Sequence, residues 1–282
     1  MIICKFISEV RQIVKEQRAN GKCIALVPTM GFLHQGHLTL VEEAKKSGAF
    51  VVMSIFVNPL QFGPNEDFAR YPRDLERDAQ KAAGVGVDVI FNPEVEEMYP
   101  TKNLTYVEVG ELGDSLCGAS RPGHFRGVTT VVSKLFHCVQ PDRAYFGQKD
   151  YQQYLIVRQM VQDLNFPIEV IAVPIVREED GLALSSRNVY LTPEQRKEAL
   201  VLQRSLTEAE EWVRQGERSA QVITEQIKAK ITSETPGEVD YVEIRSADDL
   251  SALTTLQGNV LIALAVRFGS TRLIDNKVLE GL

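Results

Sequence analysis

The chain has 282 residues, of which 44% are hydrophobic and 24% are charged, and its formal net charge is −7 at pH 7. These values are typical of a folded globular protein with a substantial core, and the negative charge argues against nucleic acid or an anionic membrane surface as the main partner. No apolar stretch reaches the roughly 20 residues that a membrane helix needs. The four cysteines are scattered without a Cys-x-x-Cys pair, which favours reduced thiols and a cytoplasmic location.

The first part of the chain alternates between strand and helix patterns. Apolar residues at helical spacing from Ile7 to Val14 predict an opening helix that stops at Asn20-Gly21. Further patterns predict strands at 23–27, 49–57, 87–91, 143–146 and 168–173, and helices at 37–47, 73–83, 127–138 and 150–163. Strands that alternate with helices predict a parallel sheet whose ligand crevice lies at the carboxyl ends of the strands.

The pattern changes near Pro174. A charged loop at 177–181 precedes patterns that predict helices at 193–215 and 218–231 and strands at 239–244 and 259–268. The sequence therefore predicts an α/β protein with two domains. Residues 1–175 are expected to form a Rossmann-like parallel-sheet domain, and residues 176–282 a smaller α+β domain.

Two histidines lie where the first of these strands gives way to a helix. His34 and His37 are close to the N-terminus of that helix, where unpaired backbone amides attract phosphate groups. Two imidazole donors at this place can hold a polyphosphate. A zinc site is an alternative, although neither a His-Glu-x-x-His motif nor further ligands at suitable spacing are present. A pair of structural histidines is the other alternative.

Four further clusters carry polar side chains. Gly147 to Asp150 places a permissive backbone and an ammonium group at a strand end, which suits contact with phosphates. Ser185 to Arg187 can clamp a triphosphate, or can simply be a polar linker. Gln61 and Gln153 can each donate and accept hydrogen bonds, which suits a substrate with hydroxyls and a carboxylate, with plain surface polarity as the alternative. The loop 121–127 is either an anion site or a solvated turn.

Several classes of enzyme lack their signature motifs in this chain. The sequence has no Walker A motif, no Gly-x-Gly-x-x-Gly and no Gly-x-Ser-x-Gly. P-loop kinases, dinucleotide oxidoreductases and serine hydrolases are therefore excluded by the motifs that they require. Adenylyl chemistry is the nucleotide reaction that remains.

Six ordered motifs resemble those of the pantothenate synthetase family, which belongs with the class I aminoacyl-tRNA synthetases to the HIGH-motif nucleotidyltransferases. The motifs extend over nearly the whole chain. They are Pro28–Gly31 with His34–His37, Val57–Phe62, Tyr71–Arg73, Gly123–Gly127, Phe146–Gln153 and Leu184–Asn188.

This resemblance implies an ATP-dependent ligase. The reaction would join (R)-pantoate to β-alanine and give pantothenate, AMP and diphosphate through an enzyme-bound pantoyl adenylate, in the biosynthesis of a coenzyme A precursor. It further implies a homodimer that uses ATP as a substrate together with Mg²⁺.

The resemblance also assigns the catalytic and nucleotide-binding residues. The implied catalytic residues are His34, His37, Lys149 and Arg187, with His37 as the proton donor. The implied ATP-binding residues are Met30, Gly31, Phe32, Leu33, His34, Gln35, Gly36, His37, Gly147, Gln148, Lys149, Asp150, Val176, Leu184, Ser185, Ser186 and Arg187.

The remaining implied roles concern the other two substrates and the metal. The implied pantoate-binding residues are Gln61, Gln153 and Asn58, and Gln61 would also face β-alanine. Asp78 would lie near Mg²⁺, but many members carry an additional acidic residue where this chain has Arg77. Residues 63–70 resemble a loop that covers the site and excludes water from the adenylate.

Two other functions stay open. A related adenylyltransferase would attack ATP with a phosphate ester and keep the AMP in its product, but the pair Gln61 and Gln153 and the full set of motifs argue against it. A nucleotide-binding regulator without catalysis would bind ATP in the same crevice and would not turn it over.

Overall fold

The computed structural model describes residues 1–64 and 66–282, and the chain divides into two compact units. The first unit contains Met1–Asp114 and Arg121–Pro174, and the second contains Ser115–Ser120 and Ile175–Leu282. The main passage from the first unit to the second therefore falls between Pro174 and Ile175.

A parallel sheet forms the centre of the first unit. Its strands are β1 (Ile2–Cys4), β2 (Ile24–Thr29), β3 (Phe50–Ile55), β4 (Val89–Phe91), β5 (Arg143–Gly147) and β6 (Glu169–Val173). They lie in the order β1-β4-β3-β2-β5-β6, and every neighbouring pair is parallel. The α/β class and the parallel sheet predicted from the sequence are confirmed.

Helices connect these strands. They are α1 (Ile7–Ala19), α2 (Gln35–Lys46), α3 (Leu75–Gly84), α4 (Val95–Met98), α5 (Cys117–Ser120, in the second unit), α6 (His124–Val139) and α7 (Tyr151–Asp163). The central strand β2 is a run of fully buried apolar residues from Ile24 to Val27. Such a run is typical of a parallel sheet, because helices cover both of its faces.

The order of the strands reverses between β2 and β5. The chain leaves β2 for β3 on one side of the sheet, and leaves β5 for β6 on the other side. Loops that diverge in this way leave a crevice at the carboxyl ends of the two strands. The β2–α2 loop contains His34, and a 3-10 helical turn at Gln148–Asp150 follows β5.

The second unit combines three further helices with a small antiparallel sheet. The helices are α8 (Pro193–Glu198), α9 (Leu200–Arg214) and α10 (Ala220–Glu234), and the strands are β7 (Glu238–Ser246), β8 (Val260–Phe268) and β9 (Thr271–Leu279). β8 lies between β7 and β9 and is antiparallel to both. The apolar faces of α9 and α10 pack on this sheet and form the core of the unit.

Several sequence predictions need correction. The single helix predicted at 193–215 is two helices that meet at Ala199. The helix predicted at 73–83 begins at Leu75, because the Asp74 side chain accepts the Arg77 backbone N–H and caps it. Periodicity does not predict β1, which has only three residues, or β9, where buried polar residues interrupt the apolar alternation.

The helices and cysteines of the described residues bear on the predictions about membrane helices and disulfides. None of the helices in the described residues has the length and apolarity needed to cross a bilayer. The four cysteines, all of which are described, are free thiols.

Candidate active site

The β2–α2 loop is held in place by the beginning of α3. Both carboxylate oxygens of Asp78 accept backbone N–H groups: Oδ2 from Phe32 at 2.6 Å and Oδ1 from Leu33 at 2.7 Å. The Lys81 ammonium donates to the Leu33 carbonyl at 2.9 Å. The Arg77 guanidinium lies 4.4 Å from the centre of the Phe32 ring. One helix therefore determines the conformation of the loop that leads into the histidines.

The loop also depends on a glycine at its start. Gly31 has a φ of +86°, a conformation that other residues rarely adopt. A Cβ atom at this position would lie 2.9 Å from Ile55 Cγ2 and 3.1 Å from Asp78 Oδ2. Only glycine therefore lets the loop approach both β3 and the Asp78 carboxylate.

The Asp78 carboxylate is bonded to protein groups, which favours a structural role over direct contact with Mg²⁺. Its side chain is 1% exposed, and both oxygens already accept backbone hydrogen bonds. Burial raises the pKa of this carboxyl, although the two amide hydrogen bonds and Arg77 oppose that rise. Within residues 1–64 and 66–282, no group of three His, Cys, Asp or Glu side chains could hold a metal ion. In this structure Asp78 positions the β2–α2 loop.

The two histidines lie against each other at the start of α2. Their ring centroids are 4.0 Å apart, with an angle of 30° between the ring planes. The backbone N–H of His34 donates to Nδ1 of His37 at 3.4 Å, so a neutral His37 carries its proton on Nε2. In the part of the chain that the structure describes, the buried Nδ1 of His34 has no hydrogen-bond partner.

Burial keeps both imidazoles neutral at neutral pH. It lowers the pKa of His34 to about 2, with the nearby charges of His37, Lys149 and Lys81 adding to the effect. It lowers the pKa of His37 to about 4, while Asp150 opposes the shift and Lys149 adds to it. A polyphosphate bound here would raise both pKa values, because an anion favours the protonated form.

Lys149 lies on the opposite side of the crevice, in the turn that follows β5. Its side chain is 20% exposed, and its ammonium nitrogen is 3.7 Å from a carboxylate oxygen of Asp150. Burial is the main cause of the lowered pKa of His34 and of His37, and the positive charge of Lys149 adds to it in both. The structure therefore brings together the lysine and the two histidines that the sequence predicts to be catalytic.

The turn that contains Gln61 follows β3 and packs directly on α6. A 3-10 helical turn spans Pro59–Gln61, and the Gln61 side chain is buried. A Cβ atom on Gly127 would lie 2.3 Å from the Leu60 carbonyl oxygen and 2.6 Å from Gln61 Cα. Glycine at 127 is therefore required for this close approach, and α6 fixes the position of the Gln61 turn.

Gln153 lies in the first turn of α7 and is half-buried. Among the residues that the structure describes, its side chain makes no hydrogen bond, so its amide is available to a ligand. Its neighbour Gln152 is buried instead and donates to the Leu112 carbonyl at 2.8 Å. The two adjacent glutamines therefore differ in role, and the one that was predicted to bind pantoate is the accessible one.

In the loop 121–127, the arginine at position 121 forms an ion pair with a carboxylate of the same chain. Arg121 makes a bidentate ion pair with Glu66, with distances of 2.6 and 2.7 Å. Burial alone raises the pKa of Glu66, but the hydrogen bonds and charge of Arg121 outweigh it and lower the pKa to about 2. The predicted covering loop 63–70 is thereby anchored at Glu66; Asn65 lies outside the described residues.

A histidine extends this ion pair to the Gln61 turn. Arg121 Nη1 lies 3.0 Å from Nε2 of His124, and His124 Nδ1 lies 2.8 Å from the Gln61 carbonyl oxygen. Arginine can only donate, so His124 accepts at Nε2 and donates from Nδ1. The main chain of Gln61 is therefore held from the beginning of α6.

The remaining predicted ATP-binding residues belong to the second unit. The backbone N–H of Leu184 donates to the Val176 carbonyl at 3.0 Å, and the Ser185 side chain accepts the Arg187 backbone N–H at 3.3 Å. Ser186 is buried at the start of a 3-10 helical turn, Ser186–Tyr190. These contacts order the segment within its own unit, and its role at ATP stays a prediction.

A cavity of about 250 Å³ opens at the carboxyl ends of β2, β3 and β4. Met30 and Gly31 line it from the loop after β2, and Phe56 and Val57 from the segment after β3. This volume is far larger than a single buried water needs and lies just below the usual range of small-molecule pockets.

Together these features describe an α/β fold with two neutral histidines and a lysine at a topological switch point, an arrangement that suits a polyphosphate. The model of the pantoate-beta-alanine ligase family matches residues 2–278. A relative named pantothenate synthetase, from Desulfitobacterium hafniense, is 82% identical over 282 residues, which is 100% of each chain. The chain belongs to the pantoate–β-alanine ligase family, as the six motifs predict.

Solved structures agree with this assignment. A crystal structure of pantothenate synthetase from Thermus thermophilus has a TM-score of 0.93 and 50% identity, and the match covers 98% of this chain and 99% of that one. A pantoate-beta-alanine ligase from Francisella tularensis, complexed with beta-gamma ATP and beta-alanine, has a TM-score of 0.80 and 36% identity, covering 99% and 97%. The predicted fold is thus also that of solved family members.

Asp78→Asn tests the role of Asp78. In asparagine the oxygen can still accept one backbone N–H, but the NH₂ group that replaces the second oxygen cannot accept the other, so one buried N–H loses its partner and we expect a loss of stability of about 1–3 kcal/mol. The activity at saturating substrates should fall, and the Mg²⁺ concentration that gives half-maximal rate should not change. Asp74→Asn, on the same helix, keeps a good capping residue and is the control. A changed Mg²⁺ dependence with unchanged stability would instead indicate a metal ligand.

The lowered pKa of His37 predicts a pH-dependent stability. The unfolded histidine titrates near its ordinary value of 6.5 and the folded one near 4, so the unfolded state binds more protons between these values. Stability should therefore fall as the pH is lowered from 6.5 to 4. His37→Gln should lessen the fall in Tm over this range, whereas His137→Gln, at an exposed position, should not. Equal slopes in His37→Gln and the wild type would contradict the assignment.

Proposed function

We propose that this chain condenses (R)-pantoate with β-alanine, using ATP, and gives pantothenate, AMP and diphosphate through a pantoyl adenylate. The observation that carries the proposal is the pair of neutral imidazoles at the start of α2, with the Lys149 charge acting on both. Membership of the ligase family supports the choice of substrates. The Francisella enzyme, which was crystallised in complex with beta-gamma ATP and beta-alanine, supports it further.

The first step is the attack of the pantoate carboxylate on the α-phosphorus of ATP. This step brings two anions together and moves negative charge onto the departing diphosphate, so cationic and hydrogen-bonding groups must stabilise it. Lys149 supplies a positive charge at the crevice, and the resemblance assigns a second one to Arg187. Mg²⁺ bound with the nucleotide phosphates would add Lewis-acid stabilisation, and Asp78 is not proposed as its ligand.

The histidines act as neutral donors in this proposal. Because Nδ1 of His37 accepts the His34 backbone N–H, its Nε2–H is the group that can donate to a phosphate oxygen. The phosphates raise the pKa of His37 from about 4 when they bind. A protonated His37 would carry a proton on Nδ1 as well and would lose the hydrogen bond from the His34 backbone, so in this proposal His37 stays neutral and donates a hydrogen bond from Nε2 to the departing diphosphate.

The other polar groups suit the acid substrate. Gln61 and Gln153 are neutral amides, so they can bind the carboxylate and hydroxyls of pantoate without lowering the reactivity of the carboxylate through an ion pair. In the second step the β-alanine amine attacks the adenylate and displaces AMP. An amine of this type is mostly protonated near neutral pH, so a proton must leave it before the attack.

We also propose a cytoplasmic homodimer. Apolar side chains on the first unit support a self-association surface: Leu104 is 82% exposed, and Ile2 and Phe6, at and beside the edge strand β1, are also exposed. Exposed apolar groups are typical of interaction surfaces when they cluster. The free thiols of the four cysteines support a reducing compartment.

Exchange of labelled diphosphate into ATP tests the function. With Mg²⁺ present, exchange should require (R)-pantoate, and later addition of β-alanine should release AMP and pantothenate. Lys149→Ala and Arg187→Ala should each slow exchange by about 10²-fold, the size found when a charge-stabilising donor is lost. Lys46→Ala, an exposed lysine at the end of α2, is the control.

The same assay separates the alternatives. Exchange that appears with a phosphate ester and not with pantoate would identify an adenylyltransferase. ATP binding without exchange for any acceptor would identify a regulator. Wild-type rates in Lys149→Ala or Arg187→Ala would remove that residue from the proposed machinery.

Sedimentation velocity tests the homodimer. We expect the wild-type protein to sediment as a dimer at micromolar concentration, and Leu104→Asp to shift it toward the monomer, because a charge in an apolar interface is costly. Leu164→Asp changes another exposed leucine, directly after α7, and should leave the sedimentation unchanged. A monomeric wild type would contradict the proposal.

A further inference from the structure

Tyr99 lies outside every motif that the sequence singles out, and it contacts the Gln61 turn through Asn58. It directly follows α4, and its hydroxyl donates to Asn58 Oδ1 at 2.8 Å. Burial raises the pKa of Tyr99 well above its ordinary value, so the hydroxyl keeps its proton and remains a donor. The ring lies 6.2 Å from the Phe56 ring, and the Lys134 ammonium lies 4.8 Å from its centre. These contacts hold the hydroxyl in one place.

The orientation of the Asn58 amide is determined by backbone groups of known polarity. The Leu60 backbone N–H can only donate, and it faces Oδ1 at 3.3 Å. The Gly127 carbonyl can only accept, and it faces Nδ2 at 3.1 Å. The amide therefore cannot be rotated by half a turn without losing both hydrogen bonds. Tyr99 adds the shortest of the hydrogen bonds to Oδ1.

The hydrogen-bonding capacity of Asn58 is fully used. Its oxygen accepts from Leu60 and Tyr99, and its NH₂ group donates to the Gly127 carbonyl and to Gln61 Oε1, the latter at 3.2 Å. The side chain is also only 1% exposed. Two lone pairs and two N–H groups are all that an asparagine side chain offers, so nothing remains for a substrate.

The same contact determines which end of the Gln61 amide is available. Because Asn58 donates to Oε1, the Gln61 NH₂ group faces the other way, where its only described contact is the weak acceptor Met30 Sδ at 3.2 Å. A substrate oxygen is a stronger acceptor than this sulfur. The available end of Gln61 is therefore a donor and selects an oxygen acceptor.

We propose that Tyr99 and Asn58 are positioning residues that hold the Gln61 amide with its NH₂ group toward an oxygen of the acid substrate. Asn58 acts through Gln61 in this arrangement and does not contact pantoate with its side chain. Tyr99 restrains Asn58 and thereby the donor that the substrate meets. The inference rests on the proposed function only for the identity of the substrate.

The hydrogen bonds from Tyr99 to Asn58 and from Asn58 to Gln61 are called the relay below. Tyr99→Phe tests this relay, because it removes the first hydrogen bond and keeps the ring. We expect the KM for pantoate in the exchange assay to rise roughly three- to tenfold, the effect of one hydrogen bond, while the KM for ATP stays unchanged. Tyr106→Phe makes the same change at an exposed tyrosine and should alter neither constant. An unchanged pantoate KM, or an equal rise in both KM values, would overturn the proposal.

A double-mutant cycle tests whether Tyr99 acts through Gln61. In a Gln61→Ala background, Tyr99→Phe should change the pantoate KM by less than about 1.5-fold, because the group that it positions is gone. A full additional effect in that background would mean that Tyr99 acts by another route, and the relay would be wrong.

Asn58→Asp tests the polarity of the relay. An aspartate cannot donate to Oε1, so the Gln61 amide should rotate and turn its own oxygen toward the substrate. We expect the pantoate KM to rise more than in Tyr99→Phe, with circular dichroism checking the fold. A pantoate KM below that of Tyr99→Phe in a folded Asn58→Asp variant would overturn the proposed polarity.

Failure of the relay can be distinguished from failure of the proposed function. If the proposed function were wrong, the wild type itself would show no pantoate-dependent exchange.

Discussion

The hydrogen bonds from the Phe32 and Leu33 amides to the buried Asp78 carboxylate are the contacts on which the β2–α2 loop and its two histidines depend. They fix the loop between β2 and α2, and this loop determines where α2 begins. Since α2 begins next to His34, the N-terminal amides and both imidazoles take their positions from the same two hydrogen bonds. A buried carboxylate with two amide partners is well satisfied, so the arrangement is stable without a metal ion at this carboxylate.

Electrostatic interactions and burial then determine the protonation state of the two imidazoles. At an effective dielectric constant of about 20, two unit charges at the 4.0 Å separation of the rings would repel each other by about 4 kcal/mol. Burial and Lys149 act in the same direction, so the free protein holds two neutral rings beside a cation. A bound polyphosphate would oppose both effects, because an anion favours the protonated form of a nearby imidazole.

The sequence predicts the features that local patterns encode. The alternation of strands and helices predicts the parallel sheet, and His34 and His37 are recognisable because strand, turn and helix follow one another within a few residues. The sequence does not predict the break at Ala199 or the strand β9, because neither differs enough from its surroundings in apolar periodicity.

Contacts between distant parts of the chain are the ones that the sequence does not predict. Asp78 meets its loop partners across 45 and 46 positions, and the hydroxyl of Tyr99 meets Asn58 across 41. Arg121 and Glu66 are 55 positions apart. No local pattern indicates these pairs, since only the folded sheet brings them together. For this reason the candidate reacting groups are predicted from the sequence, whereas the contacts that position them are seen only in the structure.

The central claim is that this crevice activates a carboxylate by joining it to AMP. Pantoate labelled with ¹⁸O in both carboxylate oxygens tests it most directly, with mass spectrometry of the AMP and pantothenate formed after β-alanine is added. The account predicts one ¹⁸O in AMP and one in the amide carbonyl of pantothenate, because the carboxylate oxygen that attacks the α-phosphorus leaves with AMP. Label in inorganic phosphate, with ADP as the nucleotide product, would contradict it.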